Sequence, residues 1–182
     1  RRRERRIMRG ADGMLHALEL VHGFYRDMRA DPALMAARDY RAAPLANSLA
    51  WNWWHTARSE DFMVNRICRD AAELWTPALV AATGLPAGIG TGQPADEAGR
   101  LRIADLDAFF AYQEAVFAAG EAFVASLDDP ALDHSVRIGD RTETIAENLT
   151  LHVLVHLSAH LGETDLIREL YERDRTPGPT RA

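Results

Sequence analysis

His152, His156 and His160 follow one another at intervals of four residues in an otherwise apolar segment. In an α-helix this spacing places the three side chains on one face, one turn apart. Two imidazoles at positions i and i+4 can bind one divalent metal ion together. His152 lies a full turn before the other two, so we expect one of the three to be a supporting or merely packed residue. The alternative to a metal site is that the imidazoles bond to carbonyl groups or to one another, because buried imidazoles need partners.

A metal ion bound by one helix needs a further ligand from another element, and His55 is the candidate. It also lies in an apolar segment, and helical bundles commonly build metal sites from side chains on facing helices. A three-histidine site with open coordination positions is typical of catalytic rather than structural zinc. The spacing alone does not join His55 to the other histidines. Three tryptophans precede it closely: Trp51, Trp53 and Trp54.

Three charged residues follow His55 on the same predicted helix. Asp61 or Glu60 could accept a hydrogen bond from the second ring nitrogen of a ligand histidine, as carboxylates around metal sites usually do. The alternative is that each is a solvated charge on the helix surface. Arg58 could attract an anionic group of a substrate, because a guanidinium group forms paired hydrogen bonds with carboxylates. It could equally be a surface residue.

Further pocket candidates lie within one or two turns of the predicted ligands. Asn52 precedes His55 by one helical turn, and Trp51 and Phe62 are aromatic residues of the same segment that would line a pocket or fill the core. Glu163 follows His160 by three residues and is a candidate on the other helix. Together with His152, these residues complete the set that we expect around the metal ion.

Four long segments have apolar residues at three- and four-residue steps, which predicts helices. Pro44 suits a first helical turn, and Asn47 or Ser48 suits the N-cap of the second helix. Thr144 and Glu147 have the spacing of a capping box at the start of the fourth. The predicted helices span residues 10–30, a start between 44 and 48 through to 68, 103–126, and Thr142 or Thr144 through to Tyr171.

The segments between these helices predict how the helices connect. Residues 71–82 could form a shorter helical piece that Pro77 interrupts, and residues 134–142 a short hairpin or irregular turn around Gly139. Residues 84–99 are rich in glycine and form a loop longer than most connections. We predict an all-α, single-domain four-helix bundle over residues 1–182, up-down with this loop as a long crossover. Residues 1–9 and 173–182 are expected to be frayed tails.

The composition is that of an ordinary globular chain with a net charge of −6. This charge argues against a nucleic-acid partner, since nucleic-acid binding depends on a basic face. The sequence contains no run of about 18 apolar residues, which a membrane-spanning helix would need. We expect a cytoplasmic protein. The single cysteine, Cys68, is a small buried thiol or a catalytic thiolate. The isolated histidines are expected to be surface or core residues: His16, His22 and His134.

Two segments of the chain resemble the DinB-like family. The last-helix motif of that family is similar to the segment from His152 to Glu163, in which Glu163 stands where glutamine is often found. The second-helix signature of the family resembles a set of residues that runs from before the helix to its end: Pro44, Asn47, Ser48, Trp51, Trp54, His55, Arg58, Glu60 and Asp61.

The resemblance implies that His55, His156 and His160 are the ligands of a divalent metal ion, zinc or nickel, in a homodimer. It further implies a metal-dependent enzyme that transfers a low-molecular-weight thiol, of the mycothiol or bacillithiol type, to an electrophilic small molecule. A metal ion with open positions would deprotonate a bound thiol. Two alternatives are a metal-dependent hydrolase that activates water at the same site, and a stress- or damage-induced metal-binding dimer without catalytic turnover.

Overall fold

Four long helical stretches dominate the computed structural model, which describes residues 10–44 and 46–176. They confirm the predicted all-α class, to which a small hairpin is added. In chain order the elements are α1 (Gly10–Ala30), α2 (Pro32–Ala37), α3 (Leu49–Asp61), a first π-helical segment (Phe62–Cys68), α4 (Pro77–Thr83), α5 (Ala95–Ala98), α6 (Leu106–Ser126), α7 (Asp129–Leu132), β1 (Ser135–Ile138), β2 (Arg141–Thr144), α8 (Ile145–Asn148), a second π-helical segment (Leu149–Val155) and α9 (His156–Arg175).

The helices begin where a polar side chain can cap them. Ser48 Oγ accepts a hydrogen bond from the backbone N–H of Trp51 at 3.2 Å, which fixes the start of α3. Thr144 and Glu147 form the predicted capping box at the start of α8. Because the caps satisfy backbone donors that the first turn leaves free, they set the point at which each helix starts.

The connections differ from the sequence expectations in two places. The short helix predicted over residues 71–82 begins at Pro77 rather than near residue 71, because proline suits the first turn and Thr76 caps it. A short helix that the sequence did not predict, α2, begins at Pro32 directly after α1 ends. Asp31 caps it by accepting a hydrogen bond from the N–H of Ala33. The segment around Gly139 is an antiparallel hairpin, and Gly139 has a φ of 61° in its turn.

Ion pairs and ring contacts show the directions of the long helices. Just past the middle of α1, His22 Nδ1 lies 2.8 Å from Glu121 Oε1 in the second half of α6. Near its end α1 reaches the first half of α6, where Arg29 lies 2.7 Å from Glu114. The two helices are therefore antiparallel.

By the same reasoning α3 runs parallel to α6. The ring of Trp53 lies 5.8 Å from that of Phe110 near the start of both helices, and Glu60 lies against Gly120 towards their ends. Two successive long helices that run in the same direction need a connection as long as the bundle. Residues 69–105, which include α4, α5 and the predicted glycine-rich loop, provide this crossover.

The last long helix runs parallel to α1. The Tyr25 hydroxyl donates to the Leu157 carbonyl at 3.0 Å. Further along both helices, Arg168 lies 3.8 Å from Asp31, the residue that follows the end of α1. The bundle thus has an up-down-down-up order, in which α1 and α9 form one adjacent pair and α3 and α6 the other. This order places α3 beside α9 as well, with opposite direction.

Large apolar side chains from the four long helices fill the core between them. None of the helices in the described part of the chain is long and apolar enough to cross a membrane. The predicted tail at residues 173–182 begins inside α9, which continues to Arg175. The predicted tail at residues 1–9 and the rest of the second tail, residues 177–182, lie outside the described residues. The largest fully buried side chains include Trp53, Trp54, Phe109 and Phe117.

Candidate metal centre

His55 of α3 and two residues of α9, His156 and His160, meet between the two helices. We call these three residues the histidine triad. Their ligand atoms all lie within 4.8 Å of one another, and Nε2 of His55 lies 3.0 Å from Nε2 of His156. The side chain of His160 is 12% exposed, and His55 is buried. Within residues 10–44 and 46–176 no fourth acidic, histidine or cysteine side chain joins the triad.

The backbone carbonyl of Ile89 fixes the tautomer of His55. Nδ1 of His55 lies 2.5 Å from this oxygen, which can only accept a hydrogen bond. The ring proton of neutral His55 is therefore on Nδ1, and Nε2 carries the lone pair that faces His156. A metal ligand whose other nitrogen donates to a carbonyl is the usual arrangement around a protein-bound ion.

Glu163 fixes the tautomer of His160 in a similar way. Its Oε2 lies 2.8 Å from Nδ1 of His160, and this hydrogen bond is the main cause that lowers the pKa of Glu163 below its usual range. The ionised carboxylate accepts the Nδ1 proton, so Nε2 of His160 is free to bind a metal ion. Glutamate here provides a full negative charge next to the site.

The electrostatics of the site favour the neutral form of His55 and His156, which is the form of imidazole that binds metals. Burial lowers the pKa of His156 to about 4, and the neighbouring imidazoles of His160 and His55 add to this effect. Burial also lowers the pKa of His55. Among the described residues, Nδ1 of His156 is buried without a hydrogen-bond partner. Three converging imidazoles fit an ion such as Zn²⁺ or Ni²⁺, for which imidazole is a preferred ligand.

His152 lies outside the triad, one turn before His156 in the second π-helical segment. Its Nε2 lies 3.0 Å from Glu143 of β2 instead, so it attaches the hairpin to the last helix.

Arg58 and Asp61 belong to a buried network at the end of α3. Arg58, whose side chain is 3% exposed, lies 3.0 Å from Asp61 and 2.6 Å from Glu73. Asp61 also accepts hydrogen bonds from the Tyr112 hydroxyl at 2.9 Å and from the backbone N–H groups of residues 74 and 75. These contacts fasten the start of the crossover to α3. The guanidinium group is thus already paired with two carboxylates.

Glu60 faces away from the triad towards α1. Its carboxylate is fully buried and lies 3.1 Å from Nε2 of His22, an isolated histidine that is also fully buried. Both ring nitrogens of His55 are occupied by Ile89 and His156. The position that the sequence suggested for Glu60 or Asp61 beside His55 is therefore taken by a backbone carbonyl.

Trp51 and Asn52 do lie next to the triad. The ring of Trp51 stacks on His55, with centroids 4.4 Å apart and an angle of 24°, and its Nε1 donates to Gln93 at 2.8 Å. Asn52 is buried, and neither polar atom of its side chain makes a hydrogen bond of ordinary geometry within the described part of the chain. Its amide nonetheless contributes to the lowered pKa of Glu163, after the larger effect of the His160 hydrogen bond.

Cys68 is half-buried at the end of the first π-helical segment. Its Sγ lies 3.3 Å from Oδ1 of Asn148, and burial raises the pKa of the thiol to about 12. At neutral pH it is a protonated thiol, which matches the first of the two roles suggested by the sequence.

Sequence reasoning missed three contributions from the crossover: Ile89, Gly90 and Gln93. Gly90 has a φ of 87°, and a Cβ there would lie 2.7 Å from the Trp54 ring. The signal in the sequence was the glycine cluster at positions 88, 90 and 92, which predicts unusual backbone conformations but not their neighbours.

Together the fold and the triad define a class: a four-helix bundle with a candidate three-histidine metal centre between its second and fourth long helices. Residues 27–164 match the family model of the DinB superfamily, and the chain belongs to this superfamily. The crystal structure of a conserved protein from Enterococcus faecalis is similar, with a TM-score of 0.75 over 90% of this chain and 98% of that chain. Its sequence is 19% identical, so the likeness shows a shared fold. No curated protein matches the sequence.

Proposed function

We propose that the protein is a divalent-metal-dependent enzyme that transfers a low-molecular-weight thiol, of the mycothiol or bacillithiol type, to an electrophilic small molecule. The observation that carries the proposal is the triad, in which three imidazoles converge and two of them each direct Nδ1 at an oxygen acceptor. A bound zinc or nickel ion would supply Lewis acidity that lowers the pKa of a coordinated thiol. Three protein ligands leave positions open for a substrate, as in catalytic sites.

Side chains of the protein orient and shield the reacting groups. Trp51 forms an apolar wall beside His55, while Asn52 and Gln93 offer amide groups close to it. In the transfer, the thiol sulfur forms a bond to the electrophilic carbon, and the leaving group departs with the electron pair of its bond. The thiol proton is released to solvent or to the leaving group. The proposal includes a cytoplasmic location, where such thiols are kept reduced.

The first test is the metal content of the untagged protein and of His55→Ala and His156→Ala, measured by elemental mass spectrometry. We expect about one zinc or nickel ion per chain in the wild type and its loss in both variants, because each removes a ligand. His16→Ala is the matched control, since His16 is exposed and should leave the metal content unchanged. A triad variant that retains its metal would contradict the assignment.

Activity measurements then distinguish the remaining functions. Conjugation of a chromogenic electrophile that requires both metal and a low-molecular-weight thiol would support the transferase. Metal-dependent ester or amide cleavage without thiol would identify a hydrolase instead. A tightly bound metal with neither reaction would favour the stress- or damage-induced binding protein.

We further propose that two copies of the chain form a dimer through a face made by α1 and the last long helix. Leu20, Phe24, Leu151 and Val155 are each more than half exposed on these neighbouring helices. Residues 149–162 contain no aspartate, glutamate, lysine or arginine. A second copy is the partner proposed, because the part of this face formed by residues 149–162 is uncharged and can pack against itself about a two-fold axis without burying charges.

A further inference from the structure

Residues 86–90 of the crossover lie across the end of α3 next to the triad, and we call them the strap. Their backbone is held by side chains from other segments, which donate hydrogen bonds to carbonyl oxygens of the strap. The contacts are Trp75 Nε1 to Pro86 at 3.1 Å, Arg58 Nε to Gly88 at 3.2 Å and His55 Nδ1 to Ile89 at 2.5 Å.

Gly90 allows the strap to lie this close to the triad. With its φ of 87°, the residue adopts a backbone conformation that side chains rarely permit. A Cβ at this position would also lie 3.2 Å from Nδ1 of His55 and 2.7 Å from the Trp54 ring. Two independent requirements, backbone conformation and close approach, thus select glycine at the point of contact.

The geometry points to the strap as the element that positions His55 for metal binding. Through the Ile89 carbonyl, it keeps the proton of His55 on Nδ1 and so leaves the Nε2 lone pair facing His156. Without this carbonyl, neutral His55 could carry its proton on Nε2, where a ligand nitrogen cannot bind metal. Ile89 and Gly90 are therefore positioning residues that act through His55. This inference rests on the proposed metal site but not on the thiol reaction.

Gly90→Ala and Gly92→Ala form a matched pair that tests the inference. Gly92 also has a positive φ, 73°, but a Cβ there would meet no atom of the described residues within 4 Å. Both substitutions strain the backbone to a similar extent, whereas only Gly90→Ala pushes the strap away from His55. The readouts are the affinity for Co²⁺, followed by its d–d absorption with a competing chelator, and the urea stability of the metal-free protein.

We expect Gly90→Ala to weaken Co²⁺ binding by about tenfold or more, as is typical when the partner of a ligand histidine is lost. Gly92→Ala should lower stability to a similar degree and leave the affinity close to that of the wild type. Equal affinities for the two variants would overturn the inference and reduce the strap to a structural loop. Should Gly90→Ala not fold, Trp75→Phe releases the strap at Pro86 without adding a clash, and we expect a smaller loss of affinity.

The tautomer of His55 can be measured without any metal. Long-range ¹H–¹⁵N NMR spectra of the metal-free protein should show the Nδ1–H form in the wild type and in Gly92→Ala. Gly90→Ala should show a mixture of both forms. A wild-type protein that binds no Co²⁺ would remove the proposed metal site, whereas a His55 tautomer that is the same in all three proteins would overturn the role of the strap.

Discussion

Asn52 of α3 and Thr164 of α9 are two buried polar residues, and their surroundings differ. Both polar atoms of Asn52 and Oγ1 of Thr164 lack hydrogen-bond partners among the described residues. Asn52 nevertheless affects the carboxylate of Glu163, which holds His160. At the scale of single residues, substitutions of Asn52 and Thr164 can therefore be compared. The comparison shows whether an unpartnered polar group supports metal binding or only lowers the stability of the protein.

We predict that Asn52→Leu lowers metal affinity without lowering the stability of the metal-free protein. Removal of a buried unsatisfied amide should leave stability unchanged or raise it by about 1 kcal/mol, while Glu163 loses a neighbour that favours its ionised form. Isothermal titration with Zn²⁺ and urea unfolding of the metal-free protein measure the two effects. Thr164→Val is the control, for which we expect a similar stability change and an unaltered affinity. Equal affinities of Asn52→Leu and wild type would assign Asn52 to the core alone.

Histidine spacing predicted the members of the site better than it predicted their partners. The trio on the last helix and the lone histidine among tryptophans directed attention to the residues that the structure brings together. The Ile89 carbonyl could not be predicted in this way, because every residue has the same backbone oxygen whatever its side chain is. Nor did the charges of Asp61 and Glu60 reveal their partners, Arg58 and His22, which come from packing between segments distant in sequence.

At the scale of the elements, periodicity and capping residues predicted the long helices well. What they could not predict was the π-helical geometry within two of them, because hydrogen bonds that span five residues leave the apolar pattern almost unchanged over one turn. His152 lies in the second of these segments, beside Glu143 of β2. The start of α4 at Pro77 was recoverable, since proline after threonine is a common beginning of a helix.

His22 connects three of these elements and gives a test by pH. Its ring stacks on Phe117 of α6, with centroids 3.9 Å apart, and its nitrogens reach Glu121 of α6 and Glu60 of α3. Burial alone would lower the pKa of His22, but the two carboxylates outweigh it and raise the pKa above the usual value.

We therefore predict that the contribution of His22 to stability is full below pH 6.5 and is lost as the pH rises through its higher folded-state pKa. The sign follows because the folded state binds the proton more tightly than the unfolded state does. Urea unfolding of the metal-free protein between pH 6 and 9, compared with His22→Gln, isolates this contribution. His134→Gln, at an exposed position, should follow the wild type. A stability difference between wild type and His22→Gln that does not change with pH would contradict a charged His22.

At the scale of the whole molecule, the proposed dimer face predicts the effect of a single charge. Val155→Glu places a carboxylate in the middle of the apolar surface, where association would bury it without a partner. We expect the variant to be monomeric in light scattering coupled to size-exclusion chromatography, under conditions where the wild type is a dimer. Ala82→Glu, on the exposed side of α4, is the control and should remain dimeric. A monomeric wild type, or a Val155→Glu variant that still dimerises, would exclude this face.

The parallel direction of α3 and α6 has a consequence for how this protein can change during evolution. Surface connections usually tolerate insertions and deletions, because few contacts depend on their length. Here the connection that the helix directions require also contributes the carbonyl beside His55 and the glycine that lies against it. Insertions between residues 86 and 90 would shift that carbonyl, whereas insertions near α4 or α5 would leave it in place. Among related chains, length variation should therefore concentrate on either side of the strap.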